Sequence, residues 1–248
     1  MSGHSKWHNI RLKKGKMDAD RGKIFTKLAR EIIVAAKGGA NPDNNITLRN
    51  AVTKAREASM PADNIKRAIQ RGSGEVDGAN YEDLTYEGYG PGGVAVLVSC
   101  LTDNKQRTVA DVRSFFNKTG GRLGESGSVS YLFSSKGQIL VPEGAASEDD
   151  VTEAAIEGGA EDVAAQEEGG FEITTEPGDL LSVQKALDAK GIKYTSAEFT
   201  MVPQTTVEIS GKEANQVLRL LDYLEDHDDV QKVYANFEMS DEEFEAAS

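Results

Sequence analysis

The sequence is poor in the residues that do covalent or metal chemistry: one cysteine, one tryptophan and three histidines in 248 residues. A single cysteine excludes an internal disulfide framework. Cys100 lies in the apolar run Val94–Leu101 and reads as a buried strand thiol. No run of about 18 apolar residues exists to cross a bilayer, and the opening Met-Ser-Gly-His-Ser-Lys-Trp-His lacks both a signal-peptide core and a Met-Gly myristoylation start. The expectation is a cytoplasmic protein with no membrane partner, so the sequons at Asn45 and Asn117 count as chance matches.

The catalytic signatures are missing too. His4 and His8 are four apart, as two ligands on one helix face would be, but no His-Glu-x-x-His pattern or third ligand accompanies them, and no metal is expected. There is no Gly-x-Ser-x-Gly elbow, no Walker A lysine loop and no dinucleotide fingerprint. Gly88, Gly90, Gly92 and Gly93 lead into a strand beside Pro91 and read as a tight turn. The carboxylates are numerous, yet their spacing marks no dyad. No enzyme, catalytic residue or cofactor is expected.

What is present is charge, unevenly placed. The net charge of −13 conceals two halves of opposite sign. Residues 1–72 carry 16 basic and 6 acidic side chains, a net of +10, which leaves 12 basic and 35 acidic for residues 73–248, a net of −23. Such asymmetry is expected of a protein that offers one part to a polyanion while the remainder stays soluble.

Apolar spacing in the basic part is helical. Ile24, Phe25, Leu28, Ala29, Ile32, Ile33 and Ala36 predict a helix from about Asp20 to Lys37, ended by Gly38-Gly39. A second helix is predicted over Ile46–Ala58, and a third begins at Ser59-Met60-Pro61. The glycine-rich stretch Gly72–Gly78 reads as a linker. Strands follow over Leu84–Tyr89 and Val94–Leu101, a helix over Lys105–Lys118 and a strand over Ser128–Ser134. Gly137–Val202 reads strand, helix, strand, strand, helix, strand, the order of a ferredoxin-like unit. Without it, Val94–Ser134 joined to Thr205–Phe237 reads in that same order. The predicted fold class is therefore α+β: an N-terminal three-helix domain followed by two ferredoxin-like α+β domains, one inserted in the other. Its expected parts are a basic helical domain at 1–78, a discontinuous α+β domain at 79–134 plus 204–239, an inserted acidic α+β domain at 135–203 and an acidic tail at 240–248.

The candidate site is the basic constellation Lys6, Trp7, Arg11, Lys13, Lys14, Lys16, Arg21, Lys23, Lys27 and Arg30. Lysine and arginine neutralise phosphates and release counterions, giving affinity without base specificity. Trp7 offers a ring to stack on an unpaired base, or an anchor for the N-terminal arm against the helices; the sequence carries both readings. Lys105, Arg107 and Arg122 form a secondary set of anion-binding candidates. The glycine-rich loop Thr119–Ser128 either presents N–H groups to an anion or is only the turn the fold requires. No helix-turn-helix glycine turn, zinc-finger spacing or ribonucleoprotein aromatic motif is present, so base-specific readout is not expected, which favours RNA slightly over DNA.

Gly3-His-Ser-Lys-Trp7, Arg21-Gly-Lys-Ile-Phe-Thr-Lys27, Tyr86-Glu-Gly-Tyr-Gly-Pro-Gly92, Asp103-Asn104 with Arg107-Thr108, and Gly127-Ser-Val-Ser-Tyr-Leu-Phe133 closely resemble the YebC/PmpR family over essentially the whole chain. The resemblance implies a bacterial cytoplasmic protein of three domains acting as a DNA-binding transcriptional regulator. Mitochondrial relatives resemble translational activators, which implies as the alternative a ribosome-associated translation factor binding ribosomal or transfer RNA. The expected partner is thus nucleic acid, DNA or RNA, with the ribosome as a further candidate; oligomeric state is not legible.

Overall fold

In the computed structural model, residues 17–76, 80–166, 169–240 and 243 are described. The chain runs through α1 (Met17–Ala36), α2 (Ile46–Glu57), α3 (Ala62–Gly72), β1 (Glu82–Tyr89), β2 (Ala95–Thr102), α4 (Lys105–Thr119) and β3 (Arg122–Leu123). It continues through β4 (Phe133–Val141), α5 (Glu148–Gly158), β5 (Ala160–Ala165), β6 (Phe171–Thr175), α6 (Leu180–Ala189) and β7 (Ser196–Pro203). The last elements are β8 (Val207–Glu208), α7 (Gly211–Glu225), β9 (Val230–Ala235) and β10 (Phe237–Glu238). Two compact units result: Tyr131–Gln204 on one side, and Ser2–Ser130 with Thr205–Ser248 on the other. None of the described helices is long and apolar enough to cross a membrane.

The first three helices close on the apolar stripe the spacing predicts. Ile32, Ile33 and Ala36 of α1 pack with Leu48, Val52 and Ala55 of α2 and with Ile65 and Ala68 of α3. Asn45 ties two helix ends together. Its carboxamide oxygen accepts the Leu48 N–H at 3.1 Å as the cap of α2, while its Nδ2 donates to Ala35 O and Gly39 O at 2.7 and 2.9 Å, near the end of α1. Helix α3 meets α1 without side chain at Gly72: a Cβ there would lie 2.3 Å from Ile33 O and 2.6 Å from Ala36 Cβ.

In the same unit β1 and β2 form an antiparallel hairpin, from Glu82 opposite Thr102 to Tyr89 opposite Ala95. Their three-residue turn has Gly92 and Gly93 in the left-handed region (φ 68° and 79°), the tight turn anticipated from its glycines. The sheet order is β3-β1-β2-β9, all antiparallel. Val96, Val98 and Cys100 of β2 pack with Val112 and Phe116 of α4, with Val217, Leu220, Leu221 and Leu224 of α7, and with Val230 and Val233 of β9. Cys100 is the buried strand thiol expected; burial, with Asp229 and Asp83 nearby, pushes it up to about 12. Helix α4 ends in left-handed Gly120, and the Gly121 N–H closes back on Phe116 O at 2.8 Å.

The fold class is the one expected, with a difference in which strand fills the sheet. The pattern placed the segment after the insertion beside β2; the structure puts β1 there. A hairpin closed over three residues costs little chain entropy and wins over a partner more than a hundred residues away. The displaced segment forms only the two-residue β8, which pairs in parallel with β10. The strand predicted over Ser128–Ser134 for the discontinuous domain does not form there: Ser130–Leu132 is a 3₁₀ turn, and β4, from Phe133 to Val141, is one continuous strand of the Tyr131–Gln204 unit's sheet.

The Tyr131–Gln204 unit has the ferredoxin-like arrangement: order β5-β6-β4-β7, antiparallel throughout, with α5 and α6 sharing the core. Ile139, Val141, Val151, Ala154, Ile173, Val183 and Leu187 form that core. Ser147 caps α5 by accepting the Asp150 N–H, and left-handed Gly159 ends it. Lys136 bridges Glu161 and Glu176 at 2.7 and 2.5 Å across the strands.

Two glycines of the helical domain should behave oppositely. Gly72→Ala is expected to destabilise by about 1–3 kcal/mol, because its Cβ meets a backbone oxygen that cannot yield cheaply. Gly22→Ala, where nothing lies within 4 Å, is expected to stabilise by up to about 1 kcal/mol. Urea denaturation of the two variants checks both signs.

Candidate nucleic-acid interface

Of the ten candidate residues, Lys6, Trp7, Arg11, Lys13, Lys14 and Lys16 lie outside the described residues, and Arg21 is described only as part of α1. Lys23, Lys27 and Arg30 follow at helical spacing on one face of α1, and the structure brings all three to the C-terminal end of α7 and the turn after it. Lys23 Nζ lies 3.4 Å from Asp226 Oδ1. Lys27 Nζ donates to Glu225 O at 2.7 Å. Arg30 Nη1 pairs with Asp229 Oδ1 at 2.8 Å and donates to Asp228 O. The carbonyl at the C-terminal end of α7 carries the negative end of the helix dipole, which adds to the attraction of the acidic run Glu225–Asp229 for these cations.

Asp229 is the centre of that contact, with only 2% of its side chain exposed. It accepts hydrogen bonds from Thr102 Oγ1 at 3.1 Å, Thr108 Oγ1 at 2.7 Å and Arg107 Nη2 at 2.9 Å, besides the Arg30 pair. Its backbone oxygen takes the Leu101 N–H at 2.8 Å. Burial alone would push its carboxyl up, but the Thr108 hydroxyl, Arg107 and Arg30 outweigh burial and hold it below the usual carboxylate range. The start of α4 is built on the same spot: Asn104 caps it by accepting the Arg107 N–H at 3.1 Å, and Asn104 N–H donates to Thr102 Oγ1 at 2.9 Å.

The secondary candidates divide. Lys105 pairs with Glu82 at 2.5 Å, and Arg107 is held by Asp229 and by Asp103 at 2.9 Å. Arg122 is exposed over the Tyr89 ring, 5.9 Å from its centroid, and pairs with no carboxylate among the described residues. The glycine-rich loop does turn its N–H groups to an anion, and that anion is internal. The buried Glu87 carboxylate accepts from Gly127 N–H at 2.8 Å, Val129 N–H at 2.7 Å and Ser130 N–H at 2.8 Å. Burial opposes this charge, but the three N–H groups and the Ser130 hydroxyl hold the Glu87 carboxyl below its ordinary value.

Sequence reasoning singled out neither Glu87 nor Asp229. The available signal is a carboxylate embedded in or abutting an apolar strand, in Tyr86-Glu-Gly-Tyr and in Asp229-Val230, where a charge must find donors to be buried.

The architecture is that of an α+β protein with a basic three-helix domain ahead of an acidic two-part body. The chain belongs to the TACO1/YebC family: residues 5–75 match the family model described as the TACO1/YebC protein N-terminal domain, and residues 81–237 match that of the TACO1/YebC second and third domain. It is 56% identical over 250 residues to a "Probable transcriptional regulatory protein" of Persephonella marina, with 100% of each chain covered. A protein of Geobacter sulfurreducens bearing that description is 54% identical over 246 residues, 99% of each chain. The crystal structure of a conserved hypothetical protein from Aquifex aeolicus matches with a TM-score of 0.84 at 50% identity, covering 92% of this chain and 95% of that one.

Three measurements test the internal carboxylates. Asp229→Ala strands Arg30 and Arg107 and should cost about 3–5 kcal/mol in urea denaturation. Because the folded carboxyl is depressed, its contribution is present above the ordinary carboxylate range near about pH 4 and is lost as pH falls through the lower folded value. Asp229→Asn should therefore flatten the acid limb of the stability curve. Glu87→Gln weakens the loop's hydrogen bonds, and amide exchange at Gly127, Val129 and Ser130 should quicken by at least about 10-fold; unchanged protection would mean that another contact holds the loop.

Proposed function

We propose that the chain is a non-enzymatic regulator of gene expression that binds nucleic acid through its helical domain, acting in the cytoplasm as a DNA-binding transcriptional regulator. The observation that carries this reading is the net +10 of residues 1–72 against −23 for the remainder, concentrated on a three-helix domain with its own core. The descriptions of the Persephonella and Geobacter relatives agree with it.

Phosphate contact is assigned to Lys6, Arg11, Lys13, Lys14, Lys16 and Arg21, with Trp7 beside them. Lys23, Lys27 and Arg30 are engaged with residues 225–229 and contribute to the positive field rather than as free hands. Exposed Arg56 and Lys66, which pair with no carboxylate among the described residues, extend the surface along α2 and α3. We assign specificity or recruitment to the two acidic α+β domains, divided as 79–134 plus 204–239 and 135–203.

Binding of the full chain to duplex DNA, titrated across a salt series, tests the reading. Log affinity should fall linearly with log salt, and Lys13→Ala with Lys14→Ala should weaken binding and reduce the slope by about 1.8, or roughly 0.9 per phosphate contact removed. Salt-insensitive binding, or none, would sink it. Crosslinking in cells separates promoter DNA from ribosomal RNA, and crosslinks confined to the latter would replace the transcriptional role by one in translation.

A further inference from the structure

Helices α1 and α3 flank a cavity of about 310 Å³ in the basic domain, lined on one side by Tyr81, the residue before β1. Its lining combines two aromatic rings, Phe25 and Tyr81, three guanidinium groups, Arg30, Arg67 and Arg71, and the carboxamide of Asn64. Among the described residues no carboxylate lines it, and the remaining described walls are small or apolar side chains. The volume is at the small end of ligand pockets, which excludes a helix or a folded peptide and suits one small rigid group.

The arginines point to an anion. Arg67 and Arg71 are four apart on α3, so both face the cavity, both are exposed, and neither pairs with a carboxylate among the described residues. Like charges at that spacing repel and disfavour the helix slightly, a penalty that a bound anion reverses. In this they differ from Lys23, Lys27, Lys105 and Arg107, all of which have acidic or carbonyl partners in the chain. Arg30 is the anchored wall: its guanidinium lies 5.3 Å from the centre of the Tyr81 ring while Asp229 holds its far side. Its Nε is buried and finds no hydrogen-bond partner among the described residues, so this wall retains an unmet donor next to the cavity.

A ligand that meets these features has a flat aromatic face for Phe25 and Tyr81, an anionic group for Arg67 and Arg71, and a hydrogen-bonding edge for Asn64. An unpaired nucleotide has all three, whereas a base inside a duplex presents no free face. We propose that the α1–α3 groove captures one unpaired nucleotide of a single strand, its base against Phe25 and Tyr81 and its phosphate on Arg67 and Arg71. The inference rests on the nucleic-acid reading above and adds to it a single-strand subsite separate from the lysines of the N-terminal segment.

The test uses the full chain and two labelled probes, a single strand of about 12 nucleotides and a duplex of equal length. Arg67→Ala with Arg71→Ala, both at exposed positions, should weaken the single strand by at least about 10-fold and the duplex by less than about 3-fold. A photoreactive 5-iodouridine in the strand should crosslink to Phe25 or Tyr81. Equal losses on both probes, or a single-strand affinity unchanged while wild type binds it, would overturn the groove and leave the nucleic-acid reading standing. Failure of wild type to bind either probe would remove both. Displacement of the strand by uridine monophosphate at equal concentration would make the ligand a free nucleotide, and displacement by a phosphotyrosine peptide at lower concentration would make it a protein; either result overturns capture of a strand.

Discussion

Asp229 is the point on which the Ser2–Ser130 and Thr205–Ser248 unit turns. Its carboxylate is bound by the end of β2 through Thr102, by the first turn of α4 through Arg107 and Thr108, and by α1 through Arg30. The residue itself begins the return from α7 into β9. Four elements from sequence positions up to about two hundred apart thus meet on two oxygens. A carboxylate so buried is unfavourable until each donor arrives, and each donor is unfavourable without it. The helical domain therefore does not hang from a linker alone: Arg30 gives it a fixed charged partner, and Lys23 and Lys27 add the acidic end of α7.

Glu87 repeats the device on a smaller scale. A buried carboxylate gathers three loop amides, those of Gly127, Val129 and Ser130, and the loop between β3 and β4 takes its shape from them. In both places the features that mark an anion site, arginines and a glycine-rich run of N–H groups, are present because an anion is bound, and the chain supplies it. Residue type and spacing define the receptor for a negative charge. They do not reveal whether that charge arrives from outside.

This sets how far the sequence could be read. The helices over 17–36 and 46–57, the tight glycine turn between β1 and β2 and the ferredoxin order of Tyr131–Gln204 were legible because each depends on local periodicity and turn chemistry. The position of β1 beside β2 in place of the segment around Val207 was not, since two strands of similar pattern competed and loop length decided between them. Of the candidate site, the positions of the cations were legible and their partners were not. Lys27 and Arg30 find theirs 198 residues further on, a separation at which only the folded chain can say which acidic residue is adjacent.

The consequence for function is a helical domain with two unlike basic faces. The face carrying Lys23, Lys27 and Arg30 is turned inward and neutralised, so its charge raises the potential around the domain less than a count of lysines and arginines suggests. The face carrying Arg67 and Arg71 has no such compensation among the described residues, and beside it lie the rings of Phe25 and Tyr81. Arg30 belongs to both, with one side on Asp229 and the other against Tyr81. A ligand that takes the unmet Nε from the groove shares this guanidinium with Asp229, so the groove and the contact that holds the helical domain meet on one side chain.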